Sequence, residues 1–403
     1  MNLAEAIVPL RHKPFRLQFA ARTISMAGTT LTPVALAFGV LRTGGSATAL
    51  ALVLGANSVT LLVFLLVGGV WADRLPRHRV MLASDLTRFA TQTTLGLLLI
   101  TGRNALWAMM LLQAVSGMAQ AFHNPSTIGL TAATAPPDLT QQANALIATT
   151  GDLTGVAGPL IAGGLTVTIG AGWAIVIDGV SFLCSALLMS RLRLDSPRRR
   201  PPDFLAQLRE GWREVRGRDW LWTSICWFAV FNLTYAVLMI LGPSILVRKP
   251  SGTLIWAAIA AAMSVGTLCG NTLAMQLTPR HLLRWPRVAE FAGVTPILVA
   301  MAVGASVPAL LACAFVMGVV MAYPDVLWTT ALQQEVPEKL LSRVSAFDLL
   351  GSFTLRPAGY TIAAALIGIG TEKTLIGLAV VFCLLNLASL AVPGTRNLTR
   401  AAS

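Results

Sequence analysis

The chain has 403 residues, of which 55% are hydrophobic and only 12% are charged, and it carries a net charge of +13. Soluble globular domains carry about 25% charged residues, so this composition excludes a soluble enzyme. The positive residues stand in short stretches between long apolar runs and are not interleaved with aromatic side chains, which argues against nucleic acid as a partner.

Apolar runs long enough to cross a bilayer recur along the whole chain. A transmembrane helix needs about 20 predominantly apolar residues, and the runs lack the alternation of a transmembrane barrel. Twelve segments fit, and we number them spans 1 to 12: 17–41, 47–70, 80–100, 105–127, 143–169, 173–189, 221–245, 254–277, 288–305, 308–332, 344–369 and 374–392. The sequence therefore predicts an all-α polytopic membrane protein with twelve transmembrane helices.

The loop after span 2 combines a glycine, an acid and several bases: Gly69, Asp73, Arg74, Arg77 and Arg79. Glycine lets two helices approach closely, and a carboxylate is favoured beside the N-terminus of a neighbouring helix. The arginines can remain at the lipid headgroups and bridge to that carboxylate. Such a cluster can hold one conformation and release it in another, so we predict a role in conformational gating.

Span 5 contains regularly placed small residues and a proline: Gly151, Gly155, Gly158, Pro159 and Gly163. Small residues on one face allow helices to pack at short range. The proline frees a backbone carbonyl and bends the helix. The pattern fits either a specialised seal or ordinary close packing.

The longest loop, 191–220, divides the chain into two sets of six spans. It contains three consecutive arginines, the two prolines that follow them, and a predicted amphipathic helix that we expect to lie along the inner membrane surface with its arginines outward. Short motifs recur in the two halves at an offset near 200 residues. We therefore predict an N-terminal six-helix bundle over 1–190, a basic cytoplasmic linker over 191–220 and a C-terminal six-helix bundle over 221–403, typical of an alternating-access transporter.

The positive residues also predict the orientation. Of the 30 Lys and Arg, 22 lie at the two termini and in the loops after even-numbered spans, five lie in the loops after odd-numbered spans, and three lie within spans. Positive loops stay in the cytoplasm, so both termini are expected there.

These features together resemble the major facilitator superfamily. Residues 69–79 are similar to its loop 2–3 signature, and residues 151–164 look like its antiporter motif. Residues 22–28, 143–146 and 177–182 resemble the drug:proton antiporter branch that holds macrolide-efflux and enterobactin-exporter proteins. The resemblance implies two pseudo-symmetric six-helix bundles in a bacterial inner membrane, with a substrate cavity lined by spans 1, 4, 7 and 10.

The sequence departs from the family pattern at several positions. Pro76 and His78 stand where the loop signature often has glycine and a base, and Ala162 replaces one glycine of span 5. Many relatives carry Asp shortly after the glycine of span 1, whereas here Thr29 follows Gly28. A coupling carboxylate at that place is therefore absent.

Ionisable residues inside the membrane are costly and commonly functional. The proton-coupling candidates are Asp325, which the resemblance places on a cavity-lining span, Asp152, and His123, whose intrinsic pKa near 6.5 suits proton exchange. A neutral, hydrogen-bonded histidine is the alternative for His123. Asp85 and Arg88 are spaced for a local structural pair, and Asp178 is interpreted as a cap or anchor.

The cavity that the resemblance implies would be contacted by polar and aromatic residues of its four spans. The candidates are Arg22, Gln113, Gln120, Asn124, Asn232, Tyr235 and Trp328. For Arg22, extension of the side chain to the inner headgroups is the alternative. Few fixed charges among amides and rings suit a large amphipathic small molecule.

We therefore expect a secondary transporter that couples proton entry to efflux of an antibiotic- or siderophore-like compound, without enzymatic activity. No phosphate-binding GxxxxGK[ST] motif occurs and the five cysteines lie singly in apolar runs, so no cofactor and no metal site are expected. The expected partners are the substrate, protons and membrane lipid, with the chain acting as a monomer. The alternatives are a facilitator or uptake carrier of the same fold, and a non-transporting membrane sensor or scaffold.

Overall fold

The computed structural model describes residues 7–74, 76–103, 105–136, 139–192, 204–277 and 284–390, and nearly all of them are helical. No strand occurs within these ranges. By length and apolar character, eight of the helices described there are able to cross a membrane. The prediction of an all-α polytopic membrane protein is confirmed.

The chain divides into two compact units, Met1–Pro201 and Pro202–Ser403, which we call the first and second unit. The first unit begins with a short 3-10 turn, Val8–Arg11, and contains spans 1 to 6. The helices are Lys13–Thr29 and Thr32–Arg42 for span 1, Ala47–Arg74, Arg77–Ile100, Leu106–Thr134, Thr140–Thr168 and Ala171–Ser190.

The second unit begins with the linker helix, Phe204–Arg216, and contains spans 7 to 12. These are Asp219–Leu246, Gly252–Gln276, Arg284–Ala302, Val307–Glu335, the pair Glu338–Thr354 and Arg356–Leu366, and Thr371–Leu390. A 3-10 turn, Ile367–Ile369, ends span 11. Each of the twelve predicted segments is thus helical.

Two spans are broken where one continuous helix was predicted. Span 1 is interrupted between Thr29 and Thr32, and span 11 between Thr354 and Arg356. In both cases a proline, Pro33 or Pro357, occupies the first turn of the new helix. Proline has no N–H to donate to the preceding turn but suits the first turn of a helix, so each break coincides with a helix restart.

Apolar side chains occupy both the interior and the outer surface of the helices. Phe15, Phe38 and Phe182 are fully buried in the first unit, whereas Val63 and Leu153 remain more than 60% exposed. A water-facing surface would rarely expose so many large apolar side chains. This distribution is the one expected for helices surrounded by lipid.

The linker helix packs against the second unit, and its position along the inner membrane surface stays a prediction. Val215 is buried in a cluster with residues of spans 7, 10 and 11. The ring of Trp212 lies 5.7 Å from that of Phe347, and Glu210 pairs with Arg343. The helix is thereby fixed to the start of span 11, while Arg213 and the other arginines of its outer face stay exposed.

Candidate functional site

Four ionisable side chains from three helices are buried within the first unit. Asp85 and Arg88 come from span 3, His123 from span 4 and Asp178 from span 6. Both aspartates are 0% exposed, Arg88 is 8% exposed and the side chain of His123 is 12% exposed. We call these four residues the buried polar cluster. Burying charged groups costs several kcal/mol unless they are paired, so the cluster requires a reason.

Asp85 contacts two other helices of the unit. The hydroxyl of Ser185 in span 6 donates a hydrogen bond to Asp85 Oδ2 at 2.6 Å. The other carboxylate oxygen, Oδ1, lies 3.5 Å from Nε2 of His123. Neither Asp85 Oδ1 nor His123 Nε2 has a hydrogen-bond partner in the described part of the chain.

The surroundings of His123 indicate which ring nitrogen carries the proton. The hydroxyl of Thr127 donates its hydrogen to the backbone carbonyl of His123 at 3.0 Å. The same hydroxyl oxygen lies 3.3 Å from Nδ1 and is left to accept from an Nδ1–H group. With hydrogen on Nδ1, the neutral ring has no hydrogen on Nε2, and His123 and Asp85 present two acceptors to each other; in the other neutral tautomer, Nε2–H faces Asp85.

Asp178 lies at the end of a chain of amides and hydroxyls. Its Oδ2 accepts from Thr32 at 2.7 Å and from Gln92 at 3.1 Å. Gln113 donates to Gln92 at 3.2 Å, and Asn57 donates to Gln113 at 3.2 Å. This chain joins spans 1, 2, 3, 4 and 6 of the first unit.

Two structural interpretations from the sequence are corrected in the cluster. Asp178 is fully buried inside span 6, whose N-cap is Gly170, so it does not cap the helix, and its hydrogen bonds to spans 1 and 3 leave the alternative of an anchor. Arg88 forms no ion pair or hydrogen bond with Asp85 among the contacts of the described residues. Its guanidinium instead lies 3.8 Å from the ring centroid of Phe182 and attracts both Asp85 and Asp178.

The carboxylate of Asp178 lies against span 1 because that helix has a glycine there. A Cβ added at Gly28 would overlap Ser181 and lie 2.8 Å from Asp178 Oδ1. Oδ1 has no partner among the described residues. A buried carboxylate therefore sits beside the glycine of span 1, although it comes from span 6.

A cavity of about 420 Å³ occurs in the second unit, lined by spans 7, 8, 10 and 11. Three predicted candidates, Asn232, Asp325 and Trp328, line it together with Asp348. Asp348 accepts hydrogen bonds from Trp328 Nε1 at 2.8 Å and from Ser352 at 3.0 Å. The volume falls within the range of small-molecule sites.

Asp325 forms no ion pair with Arg356 among the contacts of the described residues. Arg356 donates to the hydroxyl of Tyr360 at 3.2 Å and lies 5.7 Å from the ring centroid of Tyr235. Asp325 is exposed.

The structure places the remaining candidates as follows. Gln113 is buried in the amide chain, Gln120 and Arg22 are half-buried, and Asn124 is exposed. Asp152 is half-buried in span 5. In the loop after span 2, Arg77 is half-buried and Arg79 is exposed, while Gly69, Asp73 and Arg74 lie outside the residues whose side chains are described.

Span 5 packs its small residues against span 1. A Cβ added at Gly158 would overlap the side chain of Thr30, and one added at Gly151 would lie 2.8 Å from Met26 Cε. Gly155 is half-buried, whereas Pro159 and Gly163 are buried in the same helix. The glycines therefore allow close approach of these two helices.

Sequence reasoning placed Asp85 and Asp178 among structural residues, although they form the centre of the buried polar cluster. The signal that could have identified Asp85 is the spacing of polar residues along span 3. Span 3 carries Asp85, Arg88 and Gln92 at intervals of three and four residues, which places three polar side chains on one helix face.

Comparison with known proteins identifies the family of this fold. The family model of the Major Facilitator Superfamily matches residues 19–360. The chain is 29% identical to "Multidrug efflux pump Tap" of Mycolicibacterium fortuitum, over 94% of this chain and 95% of that protein. It is 26% identical to "Enterobactin exporter EntS" of Shigella flexneri, over 89% and 85% of the two chains.

Solved structures share the same fold. A bacterial homologue of the human lysosomal transporter Spinster, inward-facing and unoccupied, aligns with a TM-score of 0.70 at 16% identity, covering 96% of this chain and 98% of that one. A POT family transporter in complex with a thioalcohol-conjugated peptide aligns with a TM-score of 0.72 at 11% identity, covering 93% and 95%. The chain therefore belongs to the Major Facilitator Superfamily and is a multi-pass membrane transporter, not an enzyme.

Proposed function

We propose that the protein is a proton-coupled exporter of the bacterial inner membrane, which moves a drug-like amphipathic compound outward by alternating access. The relatives named as a multidrug efflux pump and an enterobactin exporter support efflux as the direction of transport. The excess of positive residues in the loops after even-numbered spans supports cytoplasmic termini.

The observation that carries proton coupling is the contact between Asp85 and His123. Asp85 Oδ1 and His123 Nε2 face each other across 3.5 Å, both buried and both without a partner in the described part of the chain. In the tautomer of His123 with hydrogen on Nδ1, both atoms are acceptors and cannot form a hydrogen bond with each other. One added proton gives both atoms a partner and draws them together.

The charge balance of the buried polar cluster favours the same proton. With Asp85 and Asp178 ionised and Arg88 positive, the four residues carry a net charge of −1, and a single proton bound to the cluster brings that charge to zero. A charged imidazole would be costly at this position, because the side chain of His123 is only 12% exposed. The proton is therefore assigned to a carboxylate, with neutral His123 as the acceptor of its hydrogen bond.

Protonation at this place would act on contacts between helices. Asp85 is bonded to span 6 through Ser185, and Asp178 is bonded to span 1 through Thr32. A change of charge on either carboxylate alters the strength of these bonds. The cluster can thereby bias a transporter between two arrangements of its spans.

The test uses everted membrane vesicles energised by respiration and a dye that reports the pH gradient. Addition of a transported compound releases protons from the lumen and restores the fluorescence of the dye. We expect Asp85→Asn to reduce this release to the level of vesicles without the protein, because the amide removes the proton site at nearly constant size. Asp219→Asn, an exposed acid at the start of span 7, serves as the control and keeps the release.

Gradient-independent exchange of the compound separates coupling from folding. Asp85→Asn should still exchange labelled for unlabelled compound when the gradient is collapsed. If Asp85→Asn and Asp178→Asn each release protons to the same extent as the wild-type protein, the coupling proton binds elsewhere. If vesicles with the wild-type protein accumulate the compound to the same extent with and without the proton gradient, proton coupling itself is excluded.

A further inference from the structure

The cavity of the second unit has an aromatic wall. Phe228, Phe231 and Trp328 line it. The ring of Trp328 meets that of Phe228 at 5.3 Å and an interplanar angle of 70°. Its indole nitrogen is bonded to Asp348, so contacts on two sides hold the ring in place. A rigid aromatic wall suits a ligand with a flat or bulky apolar body.

The same cavity has a negative charge that no lining residue neutralises. Its lining includes Asp325 and Asp348, and none of the lining residues that the structure describes is Lys, Arg or His. Both oxygens of Asp348 already accept hydrogen bonds, from Trp328 and Ser352. Arg356 of span 11 lies 5.7 Å from the ring centroid of the lining residue Phe353, but its hydrogen bond goes to Tyr360 and it forms no ion pair with either aspartate among the described residues.

Asp325 is the carboxylate left available to a ligand. Its side chain is exposed and lines the cavity. Its backbone carbonyl accepts a hydrogen bond from Thr329. Its carboxylate has no hydrogen-bond or ion-pair partner among the described residues. A carboxylate beside aromatic rings attracts an organic cation through both its charge and the faces of the rings.

We propose that this cavity binds an organic cation with an aromatic body, that Asp325 anchors its positive charge, and that Phe228, Phe231 and Trp328 enclose its rings. This names the substrate class of the exporter proposed above and rests on that function. The fold alone is equally compatible with a cationic compound and with an anionic iron chelator. The charge of this cavity favours the cationic compound. Asp348 is a positioning residue, because its hydrogen bond orients the indole ring of Trp328.

The test is equilibrium binding to the purified full chain in detergent, where no proton gradient exists. Tetraphenylphosphonium and tetraphenylborate are nearly equal in size and shape and opposite in charge. We expect the protein to bind labelled tetraphenylphosphonium and unlabelled tetraphenylborate to compete poorly. Asp325→Asn should weaken tetraphenylphosphonium binding about tenfold or more, the typical effect of a lost charged interaction, whereas Asp219→Asn should leave it unchanged.

The comparison of the two ions on the wild-type protein needs no variant and remains informative if Asp325→Asn fails to fold. Equal binding of both ions, or unchanged binding by a folded Asp325→Asn protein, would overturn the proposal. Asp85→Asn separates the two proposals. It should lose proton-driven transport and keep tetraphenylphosphonium binding, so failure of coupling leaves the cation site intact.

Discussion

Arg88 is the residue on which the stability of the buried polar cluster depends. It is 8% exposed, lies over the ring of Phe182 and attracts both Asp85 and Asp178. Removing one partner from a buried charged group leaves the other charges uncompensated, at a cost of about 3–5 kcal/mol. We expect Arg88→Leu to lower the free energy of unfolding by about that amount, measured by detergent-induced unfolding in mixed micelles.

A second substitution checks the cause of that loss. If uncompensated negative charge destabilises Arg88→Leu, then adding Asp178→Asn should restore more than half of the lost free energy. Contacting residues commonly show such non-additive behaviour. Additive losses in the double variant would instead indicate that Arg88 acts through its packing on Phe182.

The types of residue in the cluster could be predicted from the sequence, but not their contacts. His123 was identified as an ionisable residue in an apolar helix, and Gln113, which joins the cluster through the amide chain, was identified because the resemblance implies that span 4 lines the cavity. The contact of Asp85 with Ser185 joins residues 100 positions apart, and helical periodicity does not indicate which helix faces which. A local pair for Asp85 and Arg88 was the simplest interpretation of their spacing, and the structure replaces it with contacts to other helices.

At the scale of the helix, the small residues of span 5 determine its distance from span 1. A Cβ at Gly158 would overlap Thr30, whereas one at Gly164 in the same helix meets no atom within 4 Å. We expect Gly158→Ala to cost about 1–3 kcal/mol of unfolding free energy through overpacking. Gly164→Ala should be neutral or stabilise by up to about 1 kcal/mol, because alanine favours the helix.

Thermal unfolding of the two purified variants makes this comparison, since both change glycine to alanine in one helix. A lower Tm for Gly158→Ala than for Gly164→Ala supports close packing as the role of the motif. Equal Tm values would contradict it and would leave the glycines to another purpose. Transport assays on the same proteins show whether the close approach is also needed for function.

The breaks in spans 1 and 11 are features that the length of an apolar run does not predict. The apolar runs predicted spans 1 and 11 as continuous because hydropathy is insensitive to backbone geometry. Pro33 and Pro357 lie directly after the two breaks, and each was visible in the sequence as a residue that cannot donate to the preceding turn. The linker helix was predicted as a helix, but its attachment to span 11 depends on Trp212 and Phe347, two residues far apart in the chain.

At the scale of the whole chain, the positive residues predict on which side of the membrane each loop lies. Three spans lie between Arg103, in the loop after span 3, and Arg216 in the linker helix, so the two positions should be on opposite faces of the membrane. Both side chains are exposed. In a variant without the five native cysteines, an impermeant maleimide should label Arg103→Cys in right-side-out vesicles and Arg216→Cys in everted vesicles.

The pattern of labelling distinguishes two kinds of error. Reversed labelling at both positions would retain the number of spans and invert the orientation, which would contradict the rule that positive loops stay in the cytoplasm. Labelling of both positions from one face would mean an even number of crossings between them, and the twelve-span topology would fail. Only the expected pattern places the 22 positive residues of the termini and even-numbered loops in the cytoplasm, where they face the anionic inner leaflet.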